Sequence, residues 1–495
     1  MIRKNTAEEI APYLKDASNF PGGRAEGVFF PENEKETAEF VREAFEHGTP
    51  VTVAGGGTGL AGGRVPMGGW VLATDQLNSI QRVEAFPTGG GAASAGSGVR
   101  LRDFLTAVGR ANLYYPPDPT SWPSFLGGNV ATNASGPRTF KHGATRAFIR
   151  RLRVVTGTGE AIEITRGQCV APAGGTLEIP APSGTLRVPV PSYHLPPVKN
   201  TAGYFAADRT DAIDLFIGSE GTLGIVTEIE TALLTLPRVI LSFVVFFPQE
   251  ELAWHFAAEA RALSLRHRAQ RNDAALQASA LEYMDAASLA MIRDRYPSIP
   301  HDAFAALCIE QECQPETADL LMEAWSALME KHGASFEPEE WFADEPAGQD
   351  KLKEFRHAVP MAVKDFLQRH GQAKVGTDTA VPHEHFEMLM LFHRKRLEEL
   401  NLPHLTFGHI GDSHVHLNIL TRTEEEHARA WALYHEFVTR AIELGGTVAA
   451  EHGIGKMKRP YLEQMLGPAA VNQMRAVKKA FDPRGILGRG NIFPE

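Results

Sequence analysis

Two polar clusters suited to metal chemistry stand out, LTFGHIGDSHVHLNIL (Leu405 to Leu420) and GGTVAAEHGIGK (Gly445 to Lys456). His409, His416 and Glu451 form a candidate metal set, and His452 beside it is a candidate base. After the turn-forming Gly411-Asp412-Ser413 the run alternates strictly, with His414, His416 and Asn418 on one face and Val415, Leu417 and Ile419 on the other. A strand with an imidazole-rich face lines something polar, so Asn418 joins the catalytic candidates. Imidazole and carboxylate suit Zn, Mn or Fe better than Ca or Mg, and three protein ligands leave positions open for a substrate. The plainer alternatives are a solvated edge strand for the histidine run, and a histidine that only caps the GIG turn for His452.

Those residues need a large scaffold. At 495 residues the chain exceeds one ordinary core, and two or three domains are expected. Acidic side chains outnumber basic ones, 60 against 49, for a net charge of -11, which argues against sequence-independent nucleic-acid binding. The segment MIRKNTAEEIAPYLKD lacks a signal-type apolar core, and no run approaches a membrane span. A cytoplasmic protein is expected, with peripheral docking at a membrane surface compatible. Cys169, Cys308 and Cys313 are the three cysteines and form no CxxC pair, which excludes an in-chain cluster built on several thiolates. Any electrons handled must leave through another carrier.

Along the chain, residues 33–47 are expected to be a helix with Ala38, Val41, Ala44 and Phe45 on one face and Gly48 as its stop. Strands are expected at Pro50 to Ala54 and Trp70 to Asp75, followed by a strand end turning into a helix at AGSGVRLRDFLTAVGR. Tyr114 to Pro137 is so rich in Pro, Gly, Ser and Asn that a long functional loop, and no core helix, is expected there. A hairpin is expected to turn at Gly157 to Gly159. Residues 168–197 are a Pro/Gly-rich insert of no readable purpose. Helical patterns dominate from Pro248 to about Leu400, so the main boundary is placed near Pro237.

Within Gly57-Thr58-Gly59-Leu60-Ala61-Gly62 lies a formal GxGxxG, but Gly63 and Pro66 interrupt the helix a dinucleotide fingerprint requires. What survives is a loop of small residues whose amides can surround a pyrophosphate. Leu126 to Pro137 and Gly218 to Gly224 are two more such loops. Three of them favour one extended dinucleotide cofactor.

The ordered series VTVAGGGTGLAGGRVP, PPDPTSWPSFLGGNVATNASGPRTFKHGATR, GSEGTLGIVTE, FGHIGDSHVHLN, AAEHGIGKMKRPYL and FDPRGIL resembles the FAD-dependent D-2-hydroxyacid dehydrogenases of the vanillyl-alcohol-oxidase/PCMH superfamily, over nearly the whole chain. That family includes D-lactate dehydrogenase, D-2-hydroxyglutarate dehydrogenase and the flavin subunit of glycolate oxidase. The resemblance implies an α+β fold: a PCMH-type FAD-binding domain of two α+β subdomains (1–236), an α+β substrate cap carrying the metal site (237–455), and a segment returning to the FAD domain (456–495). It places the pyrophosphate on Gly55, Gly56, Gly57, Thr58 and Gly59. Pro117, Asp118, Ser121, Gly127, Gly128, Asn129, Ala131, Asn133 and Gly143 would follow along the ribityl chain and flavin, and Glu220, Gly221, Gly224 and Ile225 along the remaining length. Thr58 stands where relatives with covalent FAD often carry histidine, so non-covalent FAD is expected. The chain departs from the usual pattern at Ala54 (arginine), His142 (tyrosine), Gly411 to His414 (GDGN) and Gly488 to Asn491 (NPGK).

The same resemblance implies oxidation of a D-2-hydroxyacid of the D-lactate, glycolate or D-2-hydroxyglutarate class. A divalent metal, Zn or Mn, on His409, His416 and Glu451 would acidify the hydroxyl, and His452 would take the proton while hydride passes to flavin N5. Arg356 in FRHAVP would bind the substrate carboxylate, the alternative being a helix-surface salt bridge. Lys374 is the candidate substitute for a lysine that relatives carry where this chain has Gly376. Expected partners are the small hydroxyacid and an external electron acceptor: a quinone, a cytochrome, a flavoprotein or a separate iron–sulfur subunit. No nucleic acid is expected, and a homodimer is the oligomer considered. Two rivals are an alkyl-dihydroxyacetonephosphate-synthase-like transferase forming a flavin adduct, with an apolar tunnel, and a non-catalytic flavoprotein subunit that would have lost ligands or base.

Overall fold

The computed structural model describes residues 2–334 and 339–494. Helix and strand are mixed throughout, an α+β architecture, and the chain forms two compact units. The first comprises residues 1–135, 144–236 and 448–495; the second comprises 136–143 and 237–447. Glu451 and His452 therefore belong to the first unit, and His409 and His416 to the second.

In the first unit, a four-stranded sheet orders Ile2–Lys4, Gly27–Phe30, Trp70–Ala73 and Val51–Ala54, the last three parallel. Helix Glu34–His47 covers it. Asn33 caps the helix start by accepting from the Glu36 amide, and Gly48 closes it in the left-handed region at φ 68°, the stop expected of that glycine. Its buried face includes Phe40, which stacks on Phe29 with centroids 4.3 Å apart. The chain returns here late. Val51 donates to the Ile486 carbonyl and the Gly488 amide donates to that of Val51, with Ile486 and Leu487 completing the core.

A second sheet orders Ile80–Ala85, Gly91–Gly96, Gly224–Thr235, Ile149–Thr156 and Ala161–Thr165. The last two strands are the expected hairpin. One sequence reading needs correction. Leu126–Thr132, inside the supposed long loop, is a helix with Leu126, Asn129 and Val130 buried. The unread insert contains the hairpin Thr176–Ala181 with Gly184–Pro189, whose Leu177, Ile179 and Val188 are buried.

In the second unit, seven antiparallel strands run in the order Phe342–Ala343, Val239–Phe247, Ala305–Cys313, Ala280–Asp285, His404–Gly408, His416–Ile419 and Val375–Gly376. Strand Val239–Phe247 shows why the sheet is covered on both faces. Leu241, Phe243, Val245 and Phe247 feed one apolar core, while Val244 and Phe246 feed the other. Helices Glu250–Ala269 and Ala318–Lys331 pack into the first core, and Pro346–Arg369 into the second. The short segment 136–143 is pinned to this unit by charge: Arg138 pairs with Glu310 at 2.7 Å, and Lys141 and His142 with Glu312 at 2.8 Å each. Burial alone would raise the Glu312 pKa, but His142 and Lys141 outweigh it and hold it down at about 2. Among the described residues no helix is long and apolar enough to cross a membrane.

Candidate functional site

The three glycine-rich loops converge in the first unit. A Cβ on Gly55 would lie 3.9 Å from the Gly128 Cα, and one on Gly56 would meet the Pro123 carbonyl at 2.7 Å. The third loop docks on the end of helix Leu126–Thr132, the Gly218 amide donating to Val130 and the Glu220 amide to Ala131. Asn133, left-handed at φ 48°, accepts from the Arg146 amide through Oδ1. Gly127 and Gly128 differ in kind. A Cβ at Gly127 would run into Ser97, at 2.5 Å from its Cβ, whereas at Gly128 it would meet nothing within 4 Å. The first glycine permits close packing; the second leaves a surface cleared of side chains. Ser97 Oγ and Ser124 Oγ are buried beside these loops with no hydrogen-bond partner among the described residues. A cleared surface bordered by such hydroxyls fits a dinucleotide.

The other cofactor candidates are placed unevenly. Thr58 and Gly59 continue the first loop with Gly57, which is at φ 72°. Pro117 and Asp118 are buried on the segment that follows strand Leu113–Tyr114, and the Ser121 carbonyl accepts from Ser124. Gly143 falls in the second unit. Gly224 and Ile225 open a central strand, where a Cβ on Gly224 would clash with Val154 at 2.5 Å and Ile225 sits in the core. Gly221, at φ 72°, turns against Val53.

The Glu220 carboxylate is turned onto the EHGIGK segment, accepting from the Ile454 amide at 2.7 Å and the Gly455 amide at 2.6 Å. Burial pushes its pKa up to about 7 against the pull of those amides and of Lys456 and Lys458. A carboxyl raised in the folded state contributes stability that is full below the unfolded value and lost as pH rises through about 7. Glu220→Gln, which does not titrate, is therefore expected to lack the wild-type decline between acid and neutral pH. Denaturant unfolding at pH 5 and pH 8 checks this; parallel pH dependence in both proteins refutes it.

The same segment is tied down elsewhere. Lys456 Nζ donates to Asn491 Oδ1 at 2.5 Å, and Asn491 Nδ2 donates to the Gly63 and Glu220 carbonyls, so Asn491 is the residue of Gly488 to Asn491 that joins the loops. Gly455, at φ 52°, abuts the Ala61 carbonyl so closely that no side chain fits. Glu451 Oε2 accepts from Lys199 Nζ at 2.8 Å and Ser135 Oγ at 2.9 Å, and Glu451 Oε1 lies 3.5 Å from His452 Nε2. The Lys199–Glu451 pair is almost wholly buried, and removing one partner from such a pair costs about 3–5 kcal/mol.

In the second unit, strand pairing sets Phe407 opposite His416. It gathers three imidazoles, with ring centroids 5.3 Å apart for His409 and His414, 5.6 Å for His409 and His416, and 4.6 Å for His414 and His416. All three are buried, and so is the face bearing Val415, Leu417 and Ile419, because the sheet is covered on both sides. His409 Nδ1 donates to Glu282 Oε1 at 2.7 Å, and His416 Nδ1 donates to the Thr377 carbonyl at 3.3 Å. Both bonds put the ring hydrogen on Nδ1 and the lone pair on Nε2, the tautomer a metal ligand needs. His414 differs: its Nε2 lies 3.3 Å from Asp378 Oδ1. Asn418 Nδ2 donates to the His416 carbonyl, while its Oδ1 is buried without a partner among the described residues. Lys374 reaches over Gly376 toward Asn418, both lying 3.0 Å from where a Gly376 Cβ would stand.

Arg356 projects from helix Pro346–Arg369 into a small cleft open to solvent, lined by Glu282, Glu310 and Lys353 together with the apolar Phe243, Val244 and Leu352. Its Nη1 is 3.7 Å from Glu282 Oε2, and its Nη2 is 3.2 Å from His357 Nε2. It is a largely buried guanidinium, not a solvated surface pair. Glu282, Lys199 and Ser135 went unnoticed in the sequence.

Comparison with known proteins completes the picture. A family model described as FAD linked oxidases, C-terminal domain, matches residues 249–492, and an FAD binding domain model matches residues 25–165. The chain is 31% identical to the glycolate oxidase subunit GlcD of Bacillus subtilis over 97% of this chain and 92% of that one. It is 28% identical to a D-lactate dehydrogenase of Anaerostipes hadrus, over 98% and 92%, and 26% identical to a D-2-hydroxyglutarate dehydrogenase of Stutzerimonas stutzeri, over 98% and 95%. Among solved structures, an alkyldihydroxyacetonephosphate synthase matches with a TM-score of 0.62 at 16% identity, covering 94% of this chain and 77% of that one, a likeness of fold.

Proposed function

The chain belongs to the FAD-linked oxidases of the D-2-hydroxyacid dehydrogenase and glycolate oxidase family, and from that premise we propose that it oxidises a D-2-hydroxyacid of the D-lactate, glycolate or D-2-hydroxyglutarate class to the 2-oxoacid. The observation that supports this most is the paired orientation of His409 and His416, each with Nδ1 bonded to a protein oxygen and Nε2 bearing the lone pair. With Glu451 they make the proposed ligand set for a divalent cation, Zn or Mn.

When bound, non-covalent FAD supplies the acceptor for the hydride leaving C2, and the cation supplies the Lewis acidity that lowers the hydroxyl pKa. The chain's own groups do the rest. His452 accepts the hydroxyl proton on its ring. Lys199 and Ser135 donate to Glu451 Oε2 and fix the carboxylate in place. Arg356 takes the substrate carboxylate in a planar two-point grip. Asn418 and Lys374 present an amide and an ammonium around the histidine cluster. Burial of the imidazoles keeps water away and strengthens each of these interactions.

The adduct-forming transferase calls for an apolar tunnel. The cleft beside Arg356 places that guanidinium and Lys353 among its apolar residues, and two cations there favour a small anionic acid. Anaerobic mixing with a panel of D- and L-2-hydroxyacids tests the proposal: flavin absorbance should bleach with a D-acid or glycolate, and no bleaching by any member refutes it. The external electron acceptor is proposed to be a separate redox partner, since the three cysteines are free thiols.

Gly128→Leu provides a test of the cofactor surface alone. A Cβ at Gly128 meets no protein atom, so the variant is expected to fold with an unchanged melting profile yet purify colourless. Release of stoichiometric FAD from the variant on denaturation would refute the placement.

A further inference from the structure

Glu282 is absent from the proposed set of ligands, base and substrate-binding groups, yet it touches two of them. Its Oε1 accepts from His409 Nδ1 at 2.7 Å, and its Oε2 lies 3.7 Å from Arg356 Nη1. It stands in strand Ala280–Asp285, where all six residues are buried, and its own side chain is 6% exposed. A buried carboxylate is costly unless paired and hydrogen-bonded, and in strand position 282 an apolar residue would satisfy the sheet equally well. Packing therefore gives no reason for a glutamate here. The contacts do.

We propose that Glu282 is a positioning residue for the metal: it locks His409 in the tautomer whose Nε2 binds the cation, and the guanidinium of Arg356 keeps its carboxylate in place. The inference rests on the metal-assisted reading above. An imidazole that donates its other N–H to a carboxylate is a fixed and more basic ligand than one that donates to water. His416 Nδ1 donates to a backbone carbonyl at the longer distance of 3.3 Å, whereas His409 Nδ1 donates to a carboxylate. The link to Arg356 adds a second consequence. The proposed carboxylate-binding group and the proposed ligand share one acceptor, so the substrate grip and the metal are held in register by a single side chain.

The test is zinc affinity of the full-length, FAD-containing protein, measured by competition with a chromophoric chelator. Glu282→Ala is expected to weaken zinc binding about 10–100-fold, the usual effect of losing such a supporting bond. Glu282→Gln should recover most of that loss, because its amide oxygen still accepts from Nδ1, and flavin content should stay unchanged in both. A glutamate that served only packing would move the melting temperature but not separate the two variants in zinc affinity. Nitrogen-15 NMR of the metal-free parent gives a measurement independent of how the variants fold: His409 should carry its hydrogen on Nδ1. An Nε2–H tautomer, or equal zinc affinity of parent and both variants, overturns the inference alone. A parent that takes up no zinc overturns the metal-assisted reading and this inference together.

Discussion

His452→Gln is expected to slow flavin reduction by the best hydroxyacid roughly 10²–10⁴-fold, the usual worth of a positioned proton transfer, while FAD and metal remain bound. The geometry favours a specific effect over a general one. The backbone of the following turn is held without the imidazole: the Gly453 amide donates to Thr201 Oγ1, and the Ile454 and Gly455 amides donate to Glu220. Loss of the ring should thus leave the turn, and Glu451 with its Lys199 and Ser135 bonds, as they are. Single-turnover reduction under anaerobic conditions measures the step directly. A variant that bleaches its flavin as fast as the parent at every pH makes His452 a turn residue. The base would then be sought at His414, although the ring of His414 is fully buried and paired with Asp378.

His416→Ala should remove the metal and depress turnover roughly 10³-fold, the scale of several kcal/mol of lost Lewis-acid stabilisation. Flavin should stay, because the glycine loops belong to the other unit. Elemental analysis of the purified variant, with an absorbance spectrum of the same sample, separates the two losses. Full activity in a parent stripped of metal by chelator would refute the ligand assignment for His409, His416 and Glu451 together. Loss of flavin along with the metal would mean that His416 acts on the fold.

Much of this was legible in the sequence where the signal is local. Helix Glu34–His47 announces itself by its apolar period and by Gly48, and the hairpin at Gly157 to Gly159 by alternation around a glycine turn. The histidine run was readable for the same reason, since period-two alternation survives whatever the strand pairs with. Helix Leu126–Thr132 was hidden because Gly127-Gly128-Asn129 is poor helical sequence; those residues serve close approach to Ser97 and the cleared surface at Gly128. The hairpin at residues 176–189 was masked by flanking Pro and Gly. Glu282 and Lys199 could be recognised only through their partners, His409 and Glu451, which lie 127 and 252 positions away along the chain. Long-range pairing of that kind leaves no periodic trace.

The backbone bonds from Val51 to residues 486 and 488 carry a consequence for biogenesis. Strand Val51–Ala54 leaves the ribosome early, but the segment that completes its core follows every residue of the second unit. Contacts so remote in sequence form slowly, and until they form the sheet has an exposed apolar face. Asn491, which bonds the Gly63 carbonyl, arrives just as late. The first unit is therefore finished only after the second has been synthesised, and a chain arrested anywhere within residues 237–447 lacks the segment that completes its first sheet.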